Sequence, residues 1–571
     1  MNPKYPDIDL EQYDSDEVKL ISKLENMLSV SKKAREGLVK KMRRSKELFD
    51  GKILQPFNLP KYKSRIEPSI VNSTILNLLS VLTDRRAKID IMPKRSTQID
   101  SAKQAQDIMD CFYNDKKLDK AINIMKFDGL LYGNGYIKMA IKNDDIEFTN
   151  PDPFGVYFDP LATGIEEAKC LIFSNVAYVD DIKNDYGKDV KPEGEVNSKD
   201  TFVKDDYSVT ENVTDKTMKN LSPISEMSPN INYRGGQVLL KECWYYEGEK
   251  LKLATWANKT LLQNEDAPYP FFPLVTFIND GTGHSIYGTP EASKLESLVV
   301  GASIALSQNM DNMILHANPA IVMSKSLAKS QGNRPSDKPG QVFFIDNASQ
   351  TIQRLPGGNS NASTLPMAQT LIELADKTSS IHEVSRGIVS GSITAGKAIQ
   401  ALQEASSQVA RKKERDIGND ALVSLYEKTI FILKNNLSKQ IEVRQTSEDG
   451  SGYQFLTINP YDLDEDLEYK YVIGSMMPES RVARFDQAID LMQLGLLDEE
   501  EFWRWTQSDI TKDKLNTLAK EKAMKEQQMQ QEMDVLSNST DEDEIMDSLL
   551  RQRNLSGMDS QTNNIKEGIK E

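Results

Sequence analysis

The stretch from residue 289 to 437 constrains the fold most, because it prescribes a helical leg that runs out and comes back. Thr289-Pro290-Glu291 opens it with a hydroxyl N-cap, a proline at the first helical position and an acid on the positive end of the helix dipole. Leu295, Leu298, Val299, Ala302, Ala305, Leu306, Met310 and Met313 then hold one apolar stripe until Asn318-Pro319 ends it. About 28 residues at 1.5 Å each give a helix of about 42 Å. Gly301, Ala302, Ser303 and Ala305 are small enough to let a neighbouring helix approach closely, so Leu298, Ala302 and Ala305 are the expected packing positions. A strand-rich insert follows at 320–323, 341–345 and 351–355, with Gly332-Asn-Arg-Pro-Ser-Asp-Lys-Pro-Gly340 as a turn-rich link between the first two. Helix resumes over 366–384, a glycine-rich loop occupies 385–396, and a very long helix fills 397–437.

The rest of the chain is α+β. Leu20, Leu24, Met27, Leu28, Leu38 and Met42 keep a helical period over 18–50, and further helices are expected at 69–83 and 99–113. Residues 32–65 carry 12 Lys/Arg against 3 Asp/Glu, read either as a solvated helix face or as a contact for nucleic acid. At 127–141 a helix turns into a strand through glycines, and short strands follow, interrupted by Asn150-Pro-Asp-Pro153 and Asp159-Pro160. Residues 188–230 are polar, an extended or partly disordered insertion. Strands at 237–246, 250–256 and 273–278 complete an antiparallel sheet, and more are expected at 453–458 and 469–473. Helices then carry Phe485, Ala488, Ile489, Leu491 and Met492, then Phe502-Trp-Arg-Trp505, and a charged helix spans 512–536. Residues 498–571 hold 18 Asp/Glu against 10 Lys/Arg, which makes the tail acidic.

At 571 residues the chain exceeds one hydrophobic core, and three or four structural units are expected. Its longest apolar stretch, 295–306, is too short and too interrupted for a bilayer span. The first ten residues are acidic and lack the basic and apolar regions of a signal peptide, so the protein is expected in the cytosol where it is made. Cys111, Cys170 and Cys243 lie far apart, as do His284, His316 and His382, which argues against a disulfide framework or a metal site. A net charge of −16 would repel DNA. That excludes an ordinary DNA-binding domain but suits a surface along which DNA slides without sticking.

Enzymatic motifs fail on their chemistry. Gly391-Ser-Ile-Thr-Ala-Gly-Lys397-Ala398 follows a phosphate loop until its last position, where the magnesium-ligating hydroxyl is replaced by alanine. Val342-Phe-Phe-Ile-Asp346 could supply the acidic partner, but it lies upstream of the loop instead of downstream. Gly283-His-Ser-Ile-Tyr-Gly288 lacks the second glycine spacing of a nucleophile elbow. The acidic groups Asp144-Asp145 and 498–501 lack metal-ligand spacing. No catalytic, cofactor-binding or metal-ligating residue is therefore assigned, and the chain is read as a structural protein.

The order of these elements, with several local stretches, resembles the portal proteins of tailed bacteriophages. The stretches are Asp128-Gly-Leu-Leu-Tyr-Gly-Asn-Gly-Tyr-Ile-Lys138, Asn150-Pro-Asp-Pro-Phe-Gly-Val-Tyr-Phe-Asp-Pro160, Tyr287-Gly-Thr-Pro-Glu291, and Gly474-Ser-Met-Met-Pro-Glu-Ser480 leading to Leu494-Gly-Leu-Leu-Asp498. Each alone is weak; in this order they cover about residues 30–510 and leave out 188–230 and the tail beyond about 536.

The resemblance implies a ring of twelve identical subunits around a DNA channel at one vertex of a phage head. Residues 1–280 would form the wing, 281–317 the approach and first stem helix, 318–365 the clip and 366–384 the second stem helix. Residues 385–396 would be the tunnel loop, 397–437 the long helix, 438–478 wing strands, 479–536 the crown and 537–571 a disordered tail. Arg386, Ile388, Val389, Ile393 and Lys397 would face DNA. For Arg386 and Lys397, transient contact with phosphates and pairing with nearby acids stand as equal readings. Lys325, Lys329, Arg334 and Lys338 would present the clip's partner-binding surface. The implied partners are other copies of the chain, the terminase large subunit, the major capsid and scaffolding proteins, the head–tail adaptor and double-stranded DNA, with no membrane and no cofactor. The implied location is the virion's head–tail vertex, after assembly in the host cytoplasm. Twelve copies would carry 192 formal negative charges, which suits a repulsive lumen. A head–tail adaptor or minor capsid protein is the alternative, although adaptors are usually much shorter; a packaging ATPase is disfavoured by Ala398.

Overall fold

The computed structural model describes residues 15–60, 63–191, 236–317, 364–379, 408–437, 439–446 and 453–472, with the short pieces 321–322 and 353–354 and the single residues 475 and 492. The chain divides into two compact units, one of residues 1–445 and 453–478 and the other of 446–452 and 479–571. The elements below belong to the first, apart from the last residue of one strand.

Helix α1 (Ser15–Phe49) is followed by α2 (Ile70–Thr83), strand β1 (Ile89–Pro93), α3 (Ile99–Asp115) and α4 (Leu118–Tyr132). Strands β2 (Asn134–Ile141), β3 (Ile146–Thr149), β4 (Val156–Phe158) and β5 (Cys170–Tyr178) come next, then the short helix α5 (Val179–Tyr186). Strands β6 (Gln237–Glu247), β7 (Lys250–Ala257), β8 (Thr260–Asp266) and β9 (Leu274–Ile278) lead into helix α6 (Ala292–Ala317). The two-residue strands β10 (Ile321–Val322) and β11 (Gln353–Arg354) precede α7 (Thr364–Ser379). A final helical run comprises α8 (Gln408–Asp416), a π-helical segment (Ile417–Leu422) and α9 (Val423–Asn436), followed by β12 (Ile441–Thr446), β13 (Tyr453–Ile458) and β14 (Leu467–Tyr471).

Every strand pairing described is antiparallel, as the α+β reading expects. The largest sheet runs in the order β4-β5-β6-β7-β8, and a second in the order β3-β2-β9. In the larger sheet both faces are apolar, which explains the unbroken Cys170-Leu-Ile-Phe173. Cys170 and Ile172 point to one core with Ile21, Leu24 and Leu28 of α1, while Leu171 and Phe173 join the main core. Glu25 of α1 locks that first contact by accepting hydrogen bonds from Lys241 Nζ and from Trp256 Nε1 at 2.8 Å. The main core collects α2, α3, α4, β2, β9, the start of α6, the π-helical segment and α9 around side chains such as Ile75, Met125, Leu130, Tyr136 and Leu433.

The helices expected over 18–50, 69–83 and 99–113 agree with the structure to within a few residues, and the one expected over 366–384 is described as far as Ser379. Helix α4 begins at Leu118, well before the helix expected at 127, and β1, α5, β8 and β12 were not expected. The residue pattern of α5 (Val-Asp-Asp-Ile-Lys-Asn-Asp-Tyr) offers one buried side chain, Ile182, too few for a period to show. The long helix expected over 397–437 is described from 408 onward, and within it the hydrogen bonding turns π-helical at Ile417–Leu422. A Cβ at Gly418 would stand 2.4 Å from the Tyr471 ring. The widened turn thus lets β14 press against bare backbone, and no periodicity encodes that.

Candidate functional site

Helices α6 and α7 pack against one another, and β10 and β11 pair between them with Ile321 opposite Arg354. The described parts of residues 292–379 therefore run out along one helix and return along another. The approach is close because the contact residues are small: a Cβ at Gly301 would stand 3.2 Å from Leu371 Cδ1 of α7. Ala302 and Ala305 are buried and Leu298 is half-buried against the main core. Ser303 satisfies its buried hydroxyl by donating to Val299 O at 2.8 Å, so it adds no unpaired polar group.

The base of this leg is held by a buried ion cluster. Lys413 of α8 is only 2% exposed, and its Nζ lies 3.1 Å from Glu291 Oε2 and 3.0 Å from Asp280 Oδ2 while also donating to Asn279 Oδ1. Lys294 joins the same carboxylates, 3.1 Å from Glu291 Oε1 and 2.5 Å from Asp280 Oδ2. Asn279 completes the set by donating to Glu291 Oε2 and to Thr289 O. Burial works against a charged Asp280, but the ammonium groups of Lys413 and Lys294 outweigh it and hold the carboxyl down to about 2. Glu291 was expected only as a helix-start acid. Its partner Lys413 lies 122 positions along the chain, a distance at which spacing carries no signal.

Higher up, the leg is strapped to the body. Arg44 Nε donates to Glu296 Oε1 at 2.8 Å, Ile66 N to Ser307 Oγ at 3.0 Å and Ser64 N to Asp311 Oδ1 at 2.8 Å. Large apolar side chains also face outward along the leg: Met310, Met313 and Ile314 on α6, and Leu365, Met367 and Leu374 on α7. Met313 and Met367 are each 60% exposed.

The basic run after residue 32 is partly structural, which neither sequence reading of it anticipated. The guanidinium of Arg35 is buried and donates to the carbonyls of Pro153, Phe154 and Val156, with Tyr157 and Tyr287 against its faces at 5.2 and 5.5 Å. It thereby ties α1 to the Asn150–Pro160 stretch. The Gly283–Gly288 segment, rejected above as a nucleophile elbow, is a turn clamped by Asn134, which donates to Ile286 O at 3.0 Å and accepts from Gly288 N at 2.8 Å. Arg386, Ile388, Val389, Ile393 and Lys397, and likewise Lys325, Lys329, Arg334 and Lys338, lie outside the described residues. Among the described residues no group of His, Cys, Asp and Glu could hold a metal ion, and no helix is long and apolar enough to cross a membrane.

A two-helix leg with a paired-strand link, carried on an α+β body, is the class of arrangement that the resemblance to portals calls for. The family model for the phage SU10 portal protein matches residues 141–534, and the chain belongs to that family. No curated protein matches the chain. The match takes in Asn150–Pro160, Tyr287–Glu291 and the 474–498 stretches and runs across 188–230. It begins after Asp128–Lys138, which stands outside it.

Proposed function

We propose that the chain is a subunit of a ring through which phage DNA enters and leaves the head, with α6 and α7 as the stem that lines neighbour against neighbour. The observation that carries this reading is the leg itself, anchored at its base by Lys413 and carrying exposed apolar side chains along both of its helices. Fully burying a Met or Leu side chain contributes about 1.5–3 kcal/mol, so covering six of them in each subunit would supply much of the drive for ring closure. Family membership supports the portal role, and portals work without hydrolysing nucleotide themselves. Head nucleation, docking of the terminase large subunit, contact with capsid and scaffolding proteins and later binding of a tail adaptor follow from the same reading, as do twelve subunits and a place at the head–tail vertex. An adaptor or minor capsid protein is disfavoured by the length of the helical run that ends at Asn436.

Residues 318–365 are proposed as the clip and 385–396 as the tunnel loop. Charge reversal at Lys325, Lys329, Arg334 and Lys338 should weaken terminase docking while rings still form; docking at unchanged strength removes those residues from the interface. Alanine at Arg386 and Lys397 should lower DNA retention in a packaging assay if they touch phosphates. Unchanged retention assigns them to pairing with neighbouring acids.

A further inference from the structure

On the side of the body formed by α4 and the β2–β3 hairpin, a cavity of about 640 Å³ opens between one face of the helix and the hairpin. Its rim is basic in a chain that is acidic overall. Lys117, Lys120 and Lys142 line it, all exposed, and none makes an ion pair or side-chain hydrogen bond among the described residues. Lys116 and Asp145 pair across the mouth and neutralise each other, which leaves Glu147 as the remaining carboxylate against three free ammonium groups.

Local geometry explains the convergence. Asn143 and Asp144 both adopt left-handed backbone (φ 55° each), and Lys142 and Asp145 exchange backbone hydrogen bonds of 2.8 and 3.1 Å. This tight hairpin turn brings Lys142 back beside the first turn of α4. Lys117, itself left-handed, starts α4 with no side-chain cap, so the amide groups of that first turn add to the positive field without carrying the site by themselves. Half-buried Ile124 and Phe148 give it an apolar side; Phe148 also packs on the main core and meets Phe112 edge-on at 6.2 Å between ring centroids, while Ile146 is buried in that core.

We propose that this cavity binds a nucleoside phosphate, with the phosphate on Lys117, Lys120 and Lys142 and the base against Ile124 and the exposed part of Phe148. Lysines supply point charges for phosphate, a partly exposed aromatic ring offers a stacking surface, and the volume lies within the ordinary range for small-molecule sites. The ligand is either a free nucleotide or a nucleotide within a DNA strand. The inference goes beyond the portal reading and does not depend on ring closure, since all of its residues lie on one chain.

The test is equilibrium binding of two probes to the full-length protein at low salt, with ATP followed by calorimetry and a labelled single-stranded oligonucleotide by fluorescence anisotropy. The triple variant Lys117→Gln/Lys120→Gln/Lys142→Gln is compared with Lys259→Gln, an exposed lysine elsewhere, and unchanged thermal midpoints check that both fold. The triple variant should bind at least tenfold more weakly, while the control binds like the parent. A loss confined to ATP assigns a free nucleotide, and a loss confined to the oligonucleotide assigns a strand. Equal binding by parent and triple variant, equal loss in the control, or no binding of either probe by the parent overturns the proposal.

Discussion

Gly133, Gly135 and Gly288 sit where backbone meets backbone. A Cβ at Gly135 would stand 1.8 Å from Met125 O, and one at Gly288 would stand 2.3 Å from Gly133 O. The glycines of the two stretches quoted for the portal resemblance therefore have a packing reason: they let β2 cross α4 and let the turn before α6 lie on the end of α4. Their presence was legible in the sequence, whereas their mutual contact across about 150 residues was not. Asp128, in the same helix, is a half-buried carboxyl that loss of solvation, reinforced by Asp152, pushes up to about 7. With a folded value above the unfolded one, near 3.8, the native chain binds the proton more tightly, so this group's contribution to stability is fully present below about pH 4 and is lost as pH rises towards 7. Asp128→Asn should therefore raise the thermal midpoint at pH 8 and leave little difference at pH 4, with up to about 4 kcal/mol at stake. A variant that melts with the parent at both pH values would show that Asp128 is solvated and ordinary.

Among the elements, the leg was the part most legible in the sequence, because Thr289-Pro290-Glu291 and the apolar stripe act within one helix. Its ties to the body were not legible. Lys413, Arg44 and Ser64 come from distant segments, and each reads as an ordinary solvated residue until the fold brings it to α6. The basic run after Lys32 carries the same lesson, since Arg35 is buried by the carbonyls it binds and not by any pattern in its neighbours. Removing Lys413 leaves two carboxylates against Lys294 alone, with one negative charge uncompensated, so Lys413→Met should destabilise the protein by about 3 kcal/mol. Adding Glu291→Gln should recover part of the loss, because it removes the stranded charge. Denaturant unfolding of parent, single and double variants measures both. Additive losses in the double variant would mean that Lys413 and Glu291 do not interact.

For the whole molecule, the α+β class follows from antiparallel strands set among helices, while the net charge of −16 carries only the expectation that DNA should not adhere to the chain. What a sequence cannot carry is closure of a ring, which depends on the angle between neighbouring copies and not on any one chain. The outward Met310, Met313, Ile314, Leu365, Met367 and Leu374 are the side chains that such closure would cover. Electron microscopy of the purified full-length protein, with its mass measured under native conditions, tests this most directly. The account predicts rings of about 770 kDa, twelve times the 64.4 kDa chain, each with a central opening that admits a DNA duplex. A uniform population of 64.4 kDa particles with no opening, at concentrations where the leg's apolar side chains stay exposed, would contradict it.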